Sequence, residues 1–147
     1  VEMSLEVVVL PVSDVDRAKS FYRDLVGFHL DFDGEVMEGA RIVQLTPPGS
    51  GCSIALVEGM DLVTGTPVPG SYHGLQLCVA DADAAYAELR GRGLEVSEPV
   101  RYSEHDGGTF MYFRDPDGNG WAIQEYRVRG TEPLHRVLAR LAEGAAS

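Results

Sequence analysis

The chain has 147 residues, 44% of them hydrophobic, and a formal net charge of −11. That length and apolar content suffice to bury a core without cross-links, which excludes a disordered chain. The acidity argues against nucleic acid and anionic membrane surfaces as partners, and no apolar run nears the ~20 residues of a membrane helix.

Residues 5–12 form a β-branched run, read as a strand. Its centre, Val7-Val8-Val9-Leu10, is flanked by Glu2 and Glu6 rather than by Lys or Arg, so no secretory leader is read there. Cys52 and Cys78 are the only cysteines and form no C-x-x-C pair. They read as small buried residues in a reducing, cytoplasmic compartment. Ser13 or Asp14 caps a helix, with Asp16 in its first turn. Val15, Ala18, Phe21, Tyr22 and Leu25 recur at helical spacing, and Gly27 ends the helix. Phe28 to Phe32 is the second strand, Asp33-Gly34 a turn, and Arg41 to Thr46 the third strand. The run from Pro47 to Gly51 cannot extend that strand, because proline lacks the amide donor. Cys52 to Glu58 is the fourth.

Residues 59–72, rich in glycine and proline, read as a linker. The order then recurs: strand Gly74–Val79, helix Ala82–Arg90, strands Leu94–Val100 and Thr109–Arg114, turn Asp115–Asn119, strand Gly120–Arg127. An offset of 67 carries Leu10 onto Leu77, Val12 onto Val79, Asp14 onto Asp81, Asp16 onto Asp83 and Ala18 onto Ala85. Late in the unit the same offset carries Gly51 onto Gly118, Ala55 onto Ala122 and Glu58 onto Glu125. One register held from end to end marks a tandem repeat. After Gly130, Leu134, Val137, Leu138 and Leu141 mark a short amphipathic C-terminal helix over residues 131–143.

The chain therefore reads as one α+β domain. Module 1 spans residues 5–58 and module 2 residues 73–127, each a βαβββ unit with a mixed sheet. Each sheet packs its helix on one face, and the opposite faces curve around a central cleft suited to a small molecule.

The segment Leu10 to Tyr22 (LPVSDVDRAKSFY), followed by Gly27-Phe28, resembles the opening of the vicinal oxygen chelate superfamily. That group includes glyoxalase I, bleomycin-resistance proteins, fosfomycin-modifying enzymes and extradiol dioxygenases. Phe113 to Gly120 (FRDPDGNG) resembles the turn before that family's last strand. The resemblance implies tandem βαβββ modules, which the repeat supports independently. It leaves function open, because one scaffold hosts several chemistries.

In metal-using relatives each module supplies two His, Glu or Gln ligands. One stands three residues before the leucine of the first motif, the other seven residues past the first Asp of the turn. The equivalent positions here are Val7 and Gly74 on the first strands, and Ala55 and Ala122 on the last. None carries a donor for a divalent ion, so the expectation is no metal and no cofactor. Strand parity sets Gln76 and Gln124 on the same side as Gly74 and Ala122, with mates Val9 and Val57. These eight residues are the candidate ligand-binding set. A one-residue slip of both first strands would instead turn Glu6 and His73 inward, with Glu125 joining only through distortion. His105, in a polar loop, and Tyr112 are the candidate catalytic groups. His29 and His135 read as structural or surface residues, and Trp121 as core.

Two functions follow. The first is metal-independent binding of a small, largely apolar or aromatic compound. The second is a lyase, isomerase or dioxygenase acting on a small metabolite, metal-free or with a displaced metal. The resemblance also implies a homodimer.

Overall fold

Each module begins with a strand that runs into a doubly capped helix. Asp14 and Asp81 sit in extended backbone, and their carboxylates accept from the N–H groups of Arg17 and Ala84. A second carboxylate arrives from the last strand of the same module: Glu58 accepts from Val15 N–H at 3.0 Å, and Glu125 from Ala82 N–H at 2.8 Å. Four otherwise unpaired amides are thereby satisfied where the helix dipole favours negative charge. This is the reason that Asp and Glu recur at these repeat positions.

The computed structural model describes residues 1–146. In chain order the elements are β1 (Val7–Pro11), α1 (Val15–Ser20) continued by a π-helical segment (Phe21–Val26), β2 (His29–Met37), β3 (Ala40–Thr46) and β4 (Ser53–Val57). Module 2 follows with β5 (Leu75–Val79), α2 (Ala82–Arg92), β6 (Val100–Arg101), β7 (Thr109–Arg114) and β8 (Gly120–Glu125), and α3 (Leu134–Ala146) comes last. The strands form two four-stranded mixed sheets, ordered β1-β4-β3-β2 and β5-β8-β7-β6. The first strand of each runs parallel to the last, and the remaining pairs are antiparallel. This is the two-module α+β architecture that the repeat called for, followed by the short C-terminal helix read from the apolar pattern after Gly130, which starts at Leu134 rather than at residue 131.

One hydrophobic cluster draws on both sheets. Leu10, Val43, Leu45, Ile54 and Leu56 of module 1 join Met111, Phe113, Trp121 and Ile123 of module 2. Tyr22 sits between them, with its ring centroid 5.7 Å from Phe28 and 5.8 Å from Trp121. Its hydroxyl donates to Asp115 Oδ2 at 2.7 Å and accepts from Trp121 Nε1 at 2.9 Å. Asp115 also accepts from Asn119 and from the Asp117 amide, and Asp117 in turn accepts from Ser13. Burial first, and then the Asp115 charge, push the Tyr22 hydroxyl far above its ordinary pKa, so it stays a donor.

Four sequence expectations need correction. First, β2 does not turn at Asp33-Gly34. It runs through to Met37, because Asp33 is gripped by Arg41 and Lys19 while Gly34 pairs with Ile42. The reversal falls at Gly39, whose φ of +78° suits glycine. Second, residues 94–100 form no full strand; only Val100–Arg101 ladder. Leu94 and Val96 are spent on the core, the Ser97 amide bonds Tyr112, and Pro99 has no donor. Third, the modules are not in one unbroken register. Gly27 and Gly93 both end their helices in the left-handed region, at φ +90° and +99°, yet stand 66 apart rather than 67. The π-helical turn around Tyr22 absorbs the extra residue. Fourth, Cys52 is only half-buried and Cys78 is exposed. Strand alternation gives the core to Leu75, Leu77 and Val79 and leaves Cys78 on the other face.

No helix among the described residues is long and apolar enough to cross a membrane. On α3, Val137 has no exposed surface, whereas Leu138 and Leu141 are exposed. Arg140 holds the helix back to Glu132 and to the Val128 carbonyl.

Candidate functional site

The face of each sheet turned away from the shared core carries the candidate set. In module 1 the core takes Leu10, Ile54 and Leu56, so alternation leaves Val7, Val9, Ala55 and Val57 on the opposite face. Ala55 and Val57 are nonetheless buried, and Ala55 lies opposite Gln44 of β3. At the start of β4, Ser53 and Thr46 share a 2.6 Å hydrogen bond, and Thr46 also bonds Asp31. The wall is apolar with a polar lip.

In module 2 the same rule leaves Gln76 and Cys78 on β5, with Gly74 just ahead of that strand, Ala122 and Gln124 on β8, and Phe110, Tyr112 and Arg114 on β7. Gln76 Nε2 donates to Gln124 Oε1 at 2.8 Å, and Gln124 Nε2 donates to the Gly107 carbonyl at 2.7 Å. The chain of amides fixes both side chains while leaving Gln76 exposed. A Cβ placed on Gly74 would meet nothing within 4 Å, so the first corner of module 2 is open space. Tyr112 faces this side, 41% exposed, with its hydroxyl 3.1 Å from that of Tyr102. The Tyr102 hydrogen bond, and then desolvation, raise the Tyr112 pKa, so the Tyr112 hydroxyl keeps its proton rather than acting as a base. Trp121 lies on the core side, where alternation puts it.

Two cavities touch this face. One, of about 550 Å³, is lined by His73, Glu95, Tyr112, Arg114, Gly120 and Ala122 among others. The other, of about 770 Å³, takes in Gln76, Cys78 and Gln124, together with the turn from Pro47 to Cys52 and the segment from Arg129 to Pro133. Val7, Val9, Ala55 and Val57 line neither. His105 lies exposed in the β6–β7 loop, where its amide bonds Ser103 Oγ, and it lines neither cavity. Burial raises the pKa of both cysteine thiols, which leaves them poor nucleophiles.

The fit of a divalent ion can be tested on the donors. Val7, Ala55, Gly74 and Ala122 offer none. The alternative set does not assemble. The β1–β4 and β5–β8 ladders run without a bulge, so neither first strand slips, and of Glu6, His73 and Glu125 only His73 lines a cavity on this face. The Glu125 carboxylate is engaged on α2. Among the described residues no three His, Cys, Asp or Glu side chains are grouped to hold a metal. The residues present do not fit the ion that the resemblance would bring.

Sequence reasoning missed Phe110, Arg114 and Tyr102. Parity counted from Tyr112 would have reached the first two. Tyr102 had no local signal, because a loop closure brings it to Tyr112.

Comparison with known proteins agrees with the fold. The sequence profile of the Glyoxalase/Bleomycin resistance protein/Dioxygenase superfamily matches residues 4–123. The solved structure of TnmS3, an antibiotic binding protein from Streptomyces sp. CB03234, superposes with a TM-score of 0.69 at 35% identity, covering 85% of this chain and 97% of that one. A glyoxalase/bleomycin resistance protein from the same organism gives 0.67 at 37% identity, covering 83% and 100%. Biphenyl-2,3-diol 1,2-dioxygenase 3 of Rhodococcus globerulus is 28% identical over 124 residues, 79% of this chain, which spans only 60% of that enzyme's length.

Proposed function

The chain belongs to the glyoxalase/bleomycin resistance protein/dioxygenase superfamily, and from that premise we propose that it binds a small, largely apolar organic molecule without a metal ion. Val7, Val9, Ala55 and Val57 supply an apolar wall. Gly74 and Ala122 leave room, and Gln76 and Gln124 present amides that orient the ligand. The observation that carries this reading is the hydrogen-bonded Gln76–Gln124 pair standing beside two corners without side-chain donors. The likeness to an antibiotic binding protein supports it.

Two copies complete the site. In one chain the cleft face of module 2 is open, with Gln76, Cys78 and Tyr112 exposed, and the apolar wall of a second copy's module 1 would close it. The working compartment is the cytoplasm. Dioxygenation of the kind named for the Rhodococcus relative is disfavoured, since the four corners hold no metal donor.

Elemental analysis of protein purified from metal-supplemented culture tests the first half of the proposal. Substoichiometric Zn, Ni, Fe and Mn are expected, and one equivalent of any of them overturns it. A thermal-shift screen of aromatic compounds and antibiotics tests the second half. A stabilising hit whose shift shrinks in Gln76→Ala is expected, and a hit insensitive to both Gln76→Ala and Ala122→Leu places the ligand elsewhere.

A further inference from the structure

Module 2's cleft face changes character along its strands. Gln76 and Gln124 hold one end with neutral amides. In the middle, the Phe110 and Tyr112 rings lie within 7° of parallel, centroids 6.5 Å apart, with Tyr102 tilted against Phe110 at 6.0 Å. The other end carries Arg114 and His73. Arg114 closes β7 opposite Gly120, and a Cβ built on Gly120 would stand 3.5 Å from His73 Nδ1. Gly120 sets no side chain against His73, and Arg114 and His73 both line the 550 Å³ cavity with Tyr112 and Ala122. Arg114 makes one long hydrogen bond, 3.3 Å to the Gly118 carbonyl, and has no ion pair among the described residues. In a chain of net charge −11, that is an unused fork of donors beside an aromatic floor.

We infer that this end is an anion subsite and that the ligand is a planar aromatic acid, its ring system on Phe110 and Tyr112 and its carboxylate on Arg114 and His73. The inference rests on the organic-ligand reading above and narrows it to a chemical class. Arg recognises a carboxylate through two parallel N–H donors, and stacking on aromatic side chains tolerates many ring systems. Glu95 lines the same cavity and opposes an anion, so the acid seats on the Arg114 side, and removing the Glu95 charge strengthens binding.

The test uses two probes of one shape, anthracene-2-carboxylate and anthracene-2-carboxamide, titrated by fluorescence against the protein. At 0.15 M salt the field of distant charges is screened beyond ~8 Å, so the contrast reads local contacts. The carboxylate should bind about tenfold more tightly, as a charge-assisted pair would give. Arg114→Gln should erase the difference while leaving the carboxamide unchanged, and Glu95→Gln should widen it. Equal affinities in the native protein, or a contrast that survives Arg114→Gln, overturn the anion subsite while the organic-ligand reading stands. If neither probe binds, the aromatic-ligand assignment falls as a whole. Arg114 is exposed, and the carboxamide reports on folding of the variant within the same experiment.

Discussion

In module 1 the Glu58 carboxylate caps α1, and in module 2 Glu125 caps α2 in the same way. The turns before the last strands are not alike. Where module 2 has Asp115 and Asn119, a buried pair tied to Tyr22 and Trp121, module 1 has Pro48 and Cys52 on a half-exposed loop. Where module 1 has Tyr22 on a π-helical turn, module 2 has Leu89 on a regular helix. The cleft faces differ too, with Val9 and Val57 in one and Gln76 and Gln124 in the other. Capping a helix is a local problem that each module solves alone, so both copies kept the same carboxylates. Docking on the other module and meeting a ligand are not local, and there each copy is free to differ.

The largest effect should come from the asymmetric clasp. Asp115→Ala strands the Tyr22 hydroxyl and the Asn119 amide in a buried site and should cost about 3 kcal/mol in urea unfolding. Its repeat mate Pro48→Ala should cost about 1 kcal/mol or less. Equal losses would mean that the clasp is ornamental. Next comes Tyr22→Phe, at about 1–2 kcal/mol, since Trp121 Nε1 loses its acceptor. Trp121 is the only tryptophan, so its emission reports the change directly. Because burial raises the Tyr22 pKa in the folded state, its contribution is complete below the unfolded value of about 10 and is lost as pH rises above it. Stability of the native protein should therefore fall more steeply in alkali than that of Tyr22→Phe, and parallel curves would contradict the burial argument. The smallest effects should be the symmetric ones. Glu58→Ala and Glu125→Ala should each cost about 1 kcal/mol, and a marked inequality between them would break the equivalence of the two caps.

Much of the fold was legible because the repeat doubled every signal. The N-cap aspartates, the terminal glycines and the apolar β-branched runs each occur twice, and each acts over a few residues. The failures share a cause. Asp33-Gly34 carries a turn signal, but Lys19 on the helix and Arg41 on the next strand, outside the reach of a turn, hold Asp33 in a strand. Leu94 to Val100 has strand composition, but its apolar residues go to the core. Of the candidate site, alternation set the side of each strand residue, including the Gln76–Gln124 pair. It could not say that Tyr102 would reach Tyr112, or that Arg114 and His73 would flank Gly120.

The sequence by itself determined the two-module plan, the helix caps and the lack of donors at Val7, Ala55, Gly74 and Ala122, because these depend on residue identity and on periodicities of a few residues. Only the tertiary structure decided that Tyr22 locks onto Asp115 and Trp121, that Cys78 and Tyr112 stand exposed beside the glutamines, and that Arg114 and His73 share a cavity. Those relations join residues as many as 99 positions apart. They arise when the helix-bearing faces of two sheets bury a common core and leave the opposite faces for something else to fill.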